Sequence, residues 1–205
     1  MLPSSPIPFE QFMAQALHDP ERGYYARRIS SVGQRGDFTT APMLSATPAK
    51  AIAAWVQRAM RETGCRHLIE IGPGQGVLAA GVLQNLPWHL RWRTQLHLVE
   101  TSAPLAKHQR ELLGNRAIWH REMKEVLAAC DGNAVIFSNE LVDAFPVRRF
   151  QKTPAGWQEI AVHFDEGGRA HESLFPSGDL PDSSGFPGSI PSARGSKSMN
   201  PIRNI

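Results

Sequence analysis

The chain has 205 residues, a 41 % apolar fraction and a net charge of +3. That is enough for one domain with a sizeable core, and the composition is that of an ordinary globular protein, neither fibrous nor disordered. Its Lys and Arg residues are scattered among acids, so nucleic acid is not indicated; no apolar run reaches membrane-spanning length, so no membrane partner is expected.

The opening residues, Met1-Leu-Pro-Ser-Ser-Pro, lack a basic stretch followed by an apolar core, so no signal peptide is expected. Residues 8–17 read as a helix with Phe9, Phe12, Met13 and Leu17 on one side. His18-Asp-Pro-Glu-Arg-Gly-Tyr-Tyr ends it in a turn. A glycine-punctuated loop follows, in which Asp37, Phe38 and Thr39 could fold over a ligand or simply anchor a surface loop. Residues 45–62 read as a second helix with Ala51, Ile52, Trp55, Val56 and Met60 as its apolar stripe. Residues 1–62 thus form an N-terminal helical segment with a lid loop.

From residue 63 the pattern alternates. A strand at 67–71 leads to a helix at 76–86, and a strand at 95–99 leads to a helix at 103–113. A short strand near 116–119, a helix at 122–129 and a strand at 134–138 follow. This order predicts an α/β fold with a parallel sheet and helices on both faces. Segments near 146–151 and 157–164, joined around Thr153-Pro-Ala-Gly156, read as a hairpin that closes the core at about residue 172. Residues 173–205 are rich in Ser, Pro and Gly and read as a disordered tail.

Three features carry chemistry. Between the first strand and its helix lies Glu70-Ile-Gly72-Pro-Gly74-Gln-Gly76. Glycines here admit positive φ and close approach of a nucleotide-like ligand to the backbone. The dinucleotide pattern G-x-G-x-x-G would need glycine where Val77 stands. Glu100 ends the next strand, where a carboxylate can accept hydrogen bonds from both ribose hydroxyls; an ordinary solvent-facing acid is the plainer alternative. Asn139, Glu140 and Asp143 follow the fourth strand, at the end of the sheet where ligands gather, though the same residues also suit a helix start. The histidines and cysteines show no metal-ligand spacing, so no metal is expected, and two cysteines, Cys65 and Cys130, suit a reducing compartment.

The E-x-G-x-G-x-G spacing resembles that of class I S-adenosylmethionine-dependent methyltransferases. Over residues 8–165 the chain resembles more closely the MidA-like methyltransferases, which include a mitochondrial complex I assembly factor. The blocks that carry the likeness are Leu17 to Tyr25, Gly36-Asp-Phe-Thr-Thr-Ala-Pro42, Glu70 to Gly76 and Asn139-Glu-Leu-Val-Asp-Ala-Phe-Pro-Val147. The resemblance implies a Rossmann-like methyltransferase sheet, S-adenosyl-L-methionine as cofactor, and arginine of a protein substrate as acceptor. It also implies roles. Gly72, Gly74, Gly76 and Asn139 would line the cofactor, Glu70 would stand near its ammonium and Glu100 at its ribose. Asp37, Phe38 and Thr39 would close over it, and Glu140 and Asp143 would orient the acceptor and take its proton. Such proteins continue past this point, so the chain reads as C-terminally truncated and its sheet as incomplete. A non-catalytic assembly or binding protein remains the alternative, and a nicotinamide-dependent oxidoreductase is disfavoured by Val77. The early start of the family-like helix leaves no room for a transit peptide, so the expected location is the cytoplasm, or the mitochondrial matrix in a eukaryote.

Overall fold

The computed structural model describes residues 5–25, 44–176 and 178. The chain divides into two compact units, one of residues 17–144 and one of residues 1–16 with 145–205.

The larger unit is built on a parallel sheet. Its strands are β2 (His67–Ile71), β3 (Gln95–Val99), β4 (Ala117–His120) and β5 (Val135–Ser138), in the spatial order β4-β3-β2-β5. Ile71 lies opposite both Val99 and Ser138, so the carboxyl ends of β2, β3 and β5 are level. The strands β3 and β2 are central and both of their faces are covered, so even their polar residues Glu70 and His97 are buried. Leu68, Leu96 and Leu98 are wholly buried on one face, each contributing about 1.5–3 kcal/mol.

That face packs against α2 (Thr47–Thr63) and α3 (Val77–Asn85) and receives Leu113 from α5 (Ala103–Leu113). The opposite face, with Ile69 and Val99, packs against Val126 and Cys130 at α6 (Met123–Ala129). Glu122 and Glu125 begin α6 with a reciprocal capping box, each carboxylate accepting from the other's end of the first turn. A short α4 (Trp88–Arg93) stands between α3 and β3; its apolar residues Trp88, Leu90 and Trp92 recur at every second position, not at helical spacing, and no helix is expected there from sequence.

The stripe of α2 differs from its prediction. Ala49, Ala53, Val56 and Met60 are buried, Ile52 is half-buried, and Ala51 and Trp55 are exposed. Small side chains win the inner face because α3 comes very close there: a Cβ on Gly81 would lie 2.8 Å from the Ala49 Cβ. Trp55 would not fit.

A row of histidines crosses the α6 face. His67 Nδ1 lies 3.1 Å from His97 Nε2, and His97 Nδ1 lies 3.0 Å from His120 Nε2. Neutral rings satisfy this row, each donating to the next. Burial, with His120 and His67 on either side, lowers the His97 pKa to about 4.

The smaller unit is an antiparallel sheet. The expected hairpin is β6 (Phe150–Thr153) and β7 (Gly156–Phe164). Two further strands pair with β7: β8 (Ala170–Phe175), which runs past the boundary read at residue 173, and the two-residue β1 (Ile7–Pro8). The N-terminal helix α1 (Phe9–His18) begins here, with Phe12 packed 5.9 Å from Phe164. Glu159 is buried and held by a two-pronged ion pair with Arg148, 2.9 and 2.7 Å. Residues 179–205 of the expected tail lie outside the described residues.

Candidate cofactor site

The strand β2 ends at Ile71 and the chain turns through Gly72, Gly74 and Gly76, all at positive φ, before α3 begins. Two of these glycines are required by neighbours as well as by backbone. A Cβ on Gly72 would lie 2.6 Å from Leu141 Cδ1, and one on Gly76 would lie 3.3 Å from Gln109 Cγ. Beside Gly74 there is open space. The loop is tied to the sheet by the Gly72 N–H donating to the Val99 carbonyl, 3.0 Å.

The Leu141 contact brings the fourth-strand segment onto the loop. Asn139 is half-buried, while Glu140 and Asp143 are exposed. Glu140 has φ +49, a left-handed backbone that non-glycine residues adopt at a cost of about 1–2 kcal/mol. The predicted helix start after Asn139 amounts to a single 3-10 turn at Val142–Ala144.

Glu100 follows β3. Its carboxylate accepts from the Ser102 N–H at 2.8 Å on one oxygen and from Gln109 Nε2 at 3.1 Å on the other. Burial pushes its pKa up, while these bonds and one from the Thr101 N–H pull it down. Three protein donors occupy three of the four lone pairs, so the carboxylate keeps one open for a ribose hydroxyl.

Sequence reasoning missed the contribution of the turn after α1. The Ser102 hydroxyl donates to the Tyr25 carbonyl, 2.9 Å, and the Tyr25 ring stacks on His18 at 5.4 Å. His18 Nε2 in turn donates to the Ala144 carbonyl, 2.8 Å. The Tyr25 phenol is pushed up first by burial, then by the charges of Asp143 and Glu100, which face it from two sides. The glycine loop, Glu100, Asn139 to Asp143 and Tyr25 therefore share one end of the sheet. Asp37, Phe38 and Thr39 lie outside the described residues.

Glu70 stands apart. It is 2 % exposed and its Oε2 has no hydrogen-bond partner among the described residues. The Ala79 N–H in the first turn of α3 bonds its carboxyl, so Glu70 caps a helix whose own N-cap, Gly76, has no side chain to do so. An ammonium role for Glu70 would require that oxygen to become reachable. Burial raises its pKa from 4.5 to about 8.

Glu70 and His97 set opposite pH slopes. The folded chain holds the Glu70 proton more tightly than the unfolded chain, so that contribution is full below pH 4.5 and is lost as pH rises to about 8. The contribution of His97 is full above pH 6.5 and is lost as pH falls to about 4. The two oppose each other between pH 4.5 and 6.5. Above that only Glu70 acts, at about 1.4 kcal/mol per pH unit. Urea unfolding should therefore show stability falling from pH 6.5 to 8, and Glu70→Gln should flatten that fall. An undiminished fall in the variant would refute the buried-proton assignment.

Comparison with known proteins agrees with this geometry. Residues 51–198 match a protein-family model described as "Putative S-adenosyl-L-methionine-dependent methyltransferase". The mitochondrial protein arginine methyltransferase NDUFAF7 homolog of Drosophila melanogaster is 29% identical over 85% of this chain and 45% of its own length. Its Homo sapiens counterpart is 29% identical over 79% of this chain and 43% of its own. A crystal structure from Burkholderia thailandensis bound to S-adenosyl-homocysteine superposes with a TM-score of 0.73 at 32% identity, over 85% of this chain and 47% of that one. The chain thus spans less than half the length of each of these relatives.

Proposed function

The chain belongs to the S-adenosyl-L-methionine-dependent methyltransferase family whose model it matches, and on that premise we propose that it carries the cofactor-binding part of a protein arginine methyltransferase. The observation that carries this reading is the carboxylate of Glu100, joined through Gln109 to the glycine loop and near enough to Tyr25 to act on its phenol together with Asp143. The donor and acceptor set suits a nucleoside with an amino-acid tail: a free acceptor position for the ribose at Glu100, and bare backbone at Gly74 where the ligand can lie close. When bound, S-adenosyl-L-methionine supplies an electrophilic methyl group on sulfonium sulfur.

The acceptor class follows from the names of the relatives, protein arginine methyltransferases, and from the two exposed acids at the site. A guanidinium is protonated at any physiological pH and needs carboxylates to orient it and to take a proton as its nitrogen gains carbon. Glu140 is the first candidate for these tasks and Asp143 the second. Asn139 would line the cofactor with Gly72, Gly74 and Gly76. The free, buried thiols of Cys65 and Cys130 suit a reducing compartment, the bacterial cytoplasm or a mitochondrial matrix. The non-catalytic assembly reading is not favoured, because the relatives are named as methyltransferases.

The test is calorimetric titration of S-adenosylhomocysteine into the whole chain. Micromolar binding is expected. A folded chain that takes up no ligand would overturn the reading.

A further inference from the structure

Gln109 is wholly buried on α5 and has all of its polar atoms engaged. Its Oε1 accepts from Trp119 Nε1 at 3.0 Å, and its Nε2 donates to the Gly74 carbonyl at 2.7 Å and to Glu100 Oε2 at 3.1 Å. The amide cannot be turned over. An indole N–H only donates, so it demands the amide oxygen; the carbonyl and carboxylate only accept, so they demand the amide nitrogen. Trp119 is itself held on β4, with the Arg110 guanidinium 5.0 Å from its ring centroid. The Gln109 stem also sits against Gly76, where only a glycine leaves room at normal contact distance.

We propose that Gln109 is a positioning residue for ribose recognition, coupling the glycine loop to the orientation of the Glu100 carboxylate; the inference rests on the cofactor reading above. One amide ties three parts of the site together: the loop that takes the ligand backbone-first, the acid that takes its ribose, and the neighbouring strand. Its bond to Glu100 occupies one lone pair of Oε2, and Ser102 occupies one of Oε1. With the Thr101 N–H bonded as well, three donors hold the carboxylate and preset the acceptor position left for the ribose. Without Gln109 the carboxylate still reaches the ribose but must be ordered on binding.

Such a role acts through ribose hydroxyls, and packing alone does not. The experiment measures affinities of S-adenosylhomocysteine and its 2′-deoxy analogue for the whole chain and for Gln109→Leu. The variant should lose about tenfold for S-adenosylhomocysteine and less than about twofold for the deoxy analogue. Equal losses for both ligands would overturn the proposal. Gln109→Glu keeps the shape and supplies a second measurement should the leucine variant fail to fold. Protonated, its carboxyl can donate to Glu100; ionised, it repels it. Affinity of that variant should fall as pH rises from about 6 to about 8 by tenfold or more relative to the parent chain. A profile parallel to the parent's would overturn the proposal. Absence of binding by the parent chain itself would overturn the cofactor reading, a distinct result.

Discussion

Glu140→Gln lowers methyl transfer by about 10²–10⁴-fold, the range associated with loss of a positioned acid or base, and leaves S-adenosylhomocysteine affinity unchanged within about twofold. The reason lies in where Glu140 sits. It is exposed, with no hydrogen bond or ion pair among the described residues, and it follows β5 with a backbone conformation unfavourable for any side chain. Strain of that kind persists where its surroundings determine it. Glutamine has the same shape and the same backbone cost, so the fold and the cofactor contacts have no reason to change. What it lacks is the charge and the basicity that the proposed role of Glu140 requires. The measurement is methylarginine formation, by mass spectrometry, in host-cell protein incubated with the chain and cofactor. Undiminished methylarginine in the variant would remove Glu140 from the chemistry.

Glu100→Ala should weaken S-adenosylhomocysteine binding by about 100-fold. The ribose hydrogen bond to a charged acceptor is lost, worth about 1.5–3 kcal/mol, and part of that loss is offset by water entering the space. The truncation also leaves Gln109 Nε2 with one acceptor in place of two and the Ser102 N–H with none from this side chain. Glu100→Gln is the informative companion. It keeps one acceptor oxygen and places an amide against Gln109 or Ser102, so its loss should fall between the parent and the alanine variant. Calorimetry on all three, with circular dichroism to verify folding, decides the matter. Parent-like affinity for the alanine variant would mean that Glu100 only caps the Ser102 turn.

The α/β alternation was legible because each element carried its own signal. The bounds of β3 and α5 are those expected, since an apolar run or a helical stripe is a local property. The short α4 was not legible, having neither, and the end of β8 falls in the segment read as tail because its mostly exposed residues show no apolar alternation. The α2 stripe was misassigned by size: Trp55 outweighs Ala49 and Ala53 on any hydropathy count, yet closeness to Gly81 decides which side faces inward. At the site, glycines and strand-end acids announce themselves because they answer a backbone or ligand requirement. Tyr25 and Gln109 do not, since their partners Ser102 and Gly74 lie far away in sequence. One clue was present. Gln109 stands in the stripe with Leu105, Ala106 and Leu113, and a polar residue in such a place has an internal partner.

The pairing of β1 with β7 has a consequence for the order of synthesis. Ile7 meets Val162 and Pro8 meets Ala161, so β1 finds its neighbour only after the whole parallel sheet that lies between them in sequence has been made. The larger unit, closed within residues 17–144, has all its strands in hand before then. The amino terminus must wait with its apolar residues uncovered, and closing so long a loop is entropically slow. Nascent chains halted before β7 should therefore show a protected sheet core and a protease-sensitive amino terminus, and protection of that terminus should arrive in one step once β7 emerges.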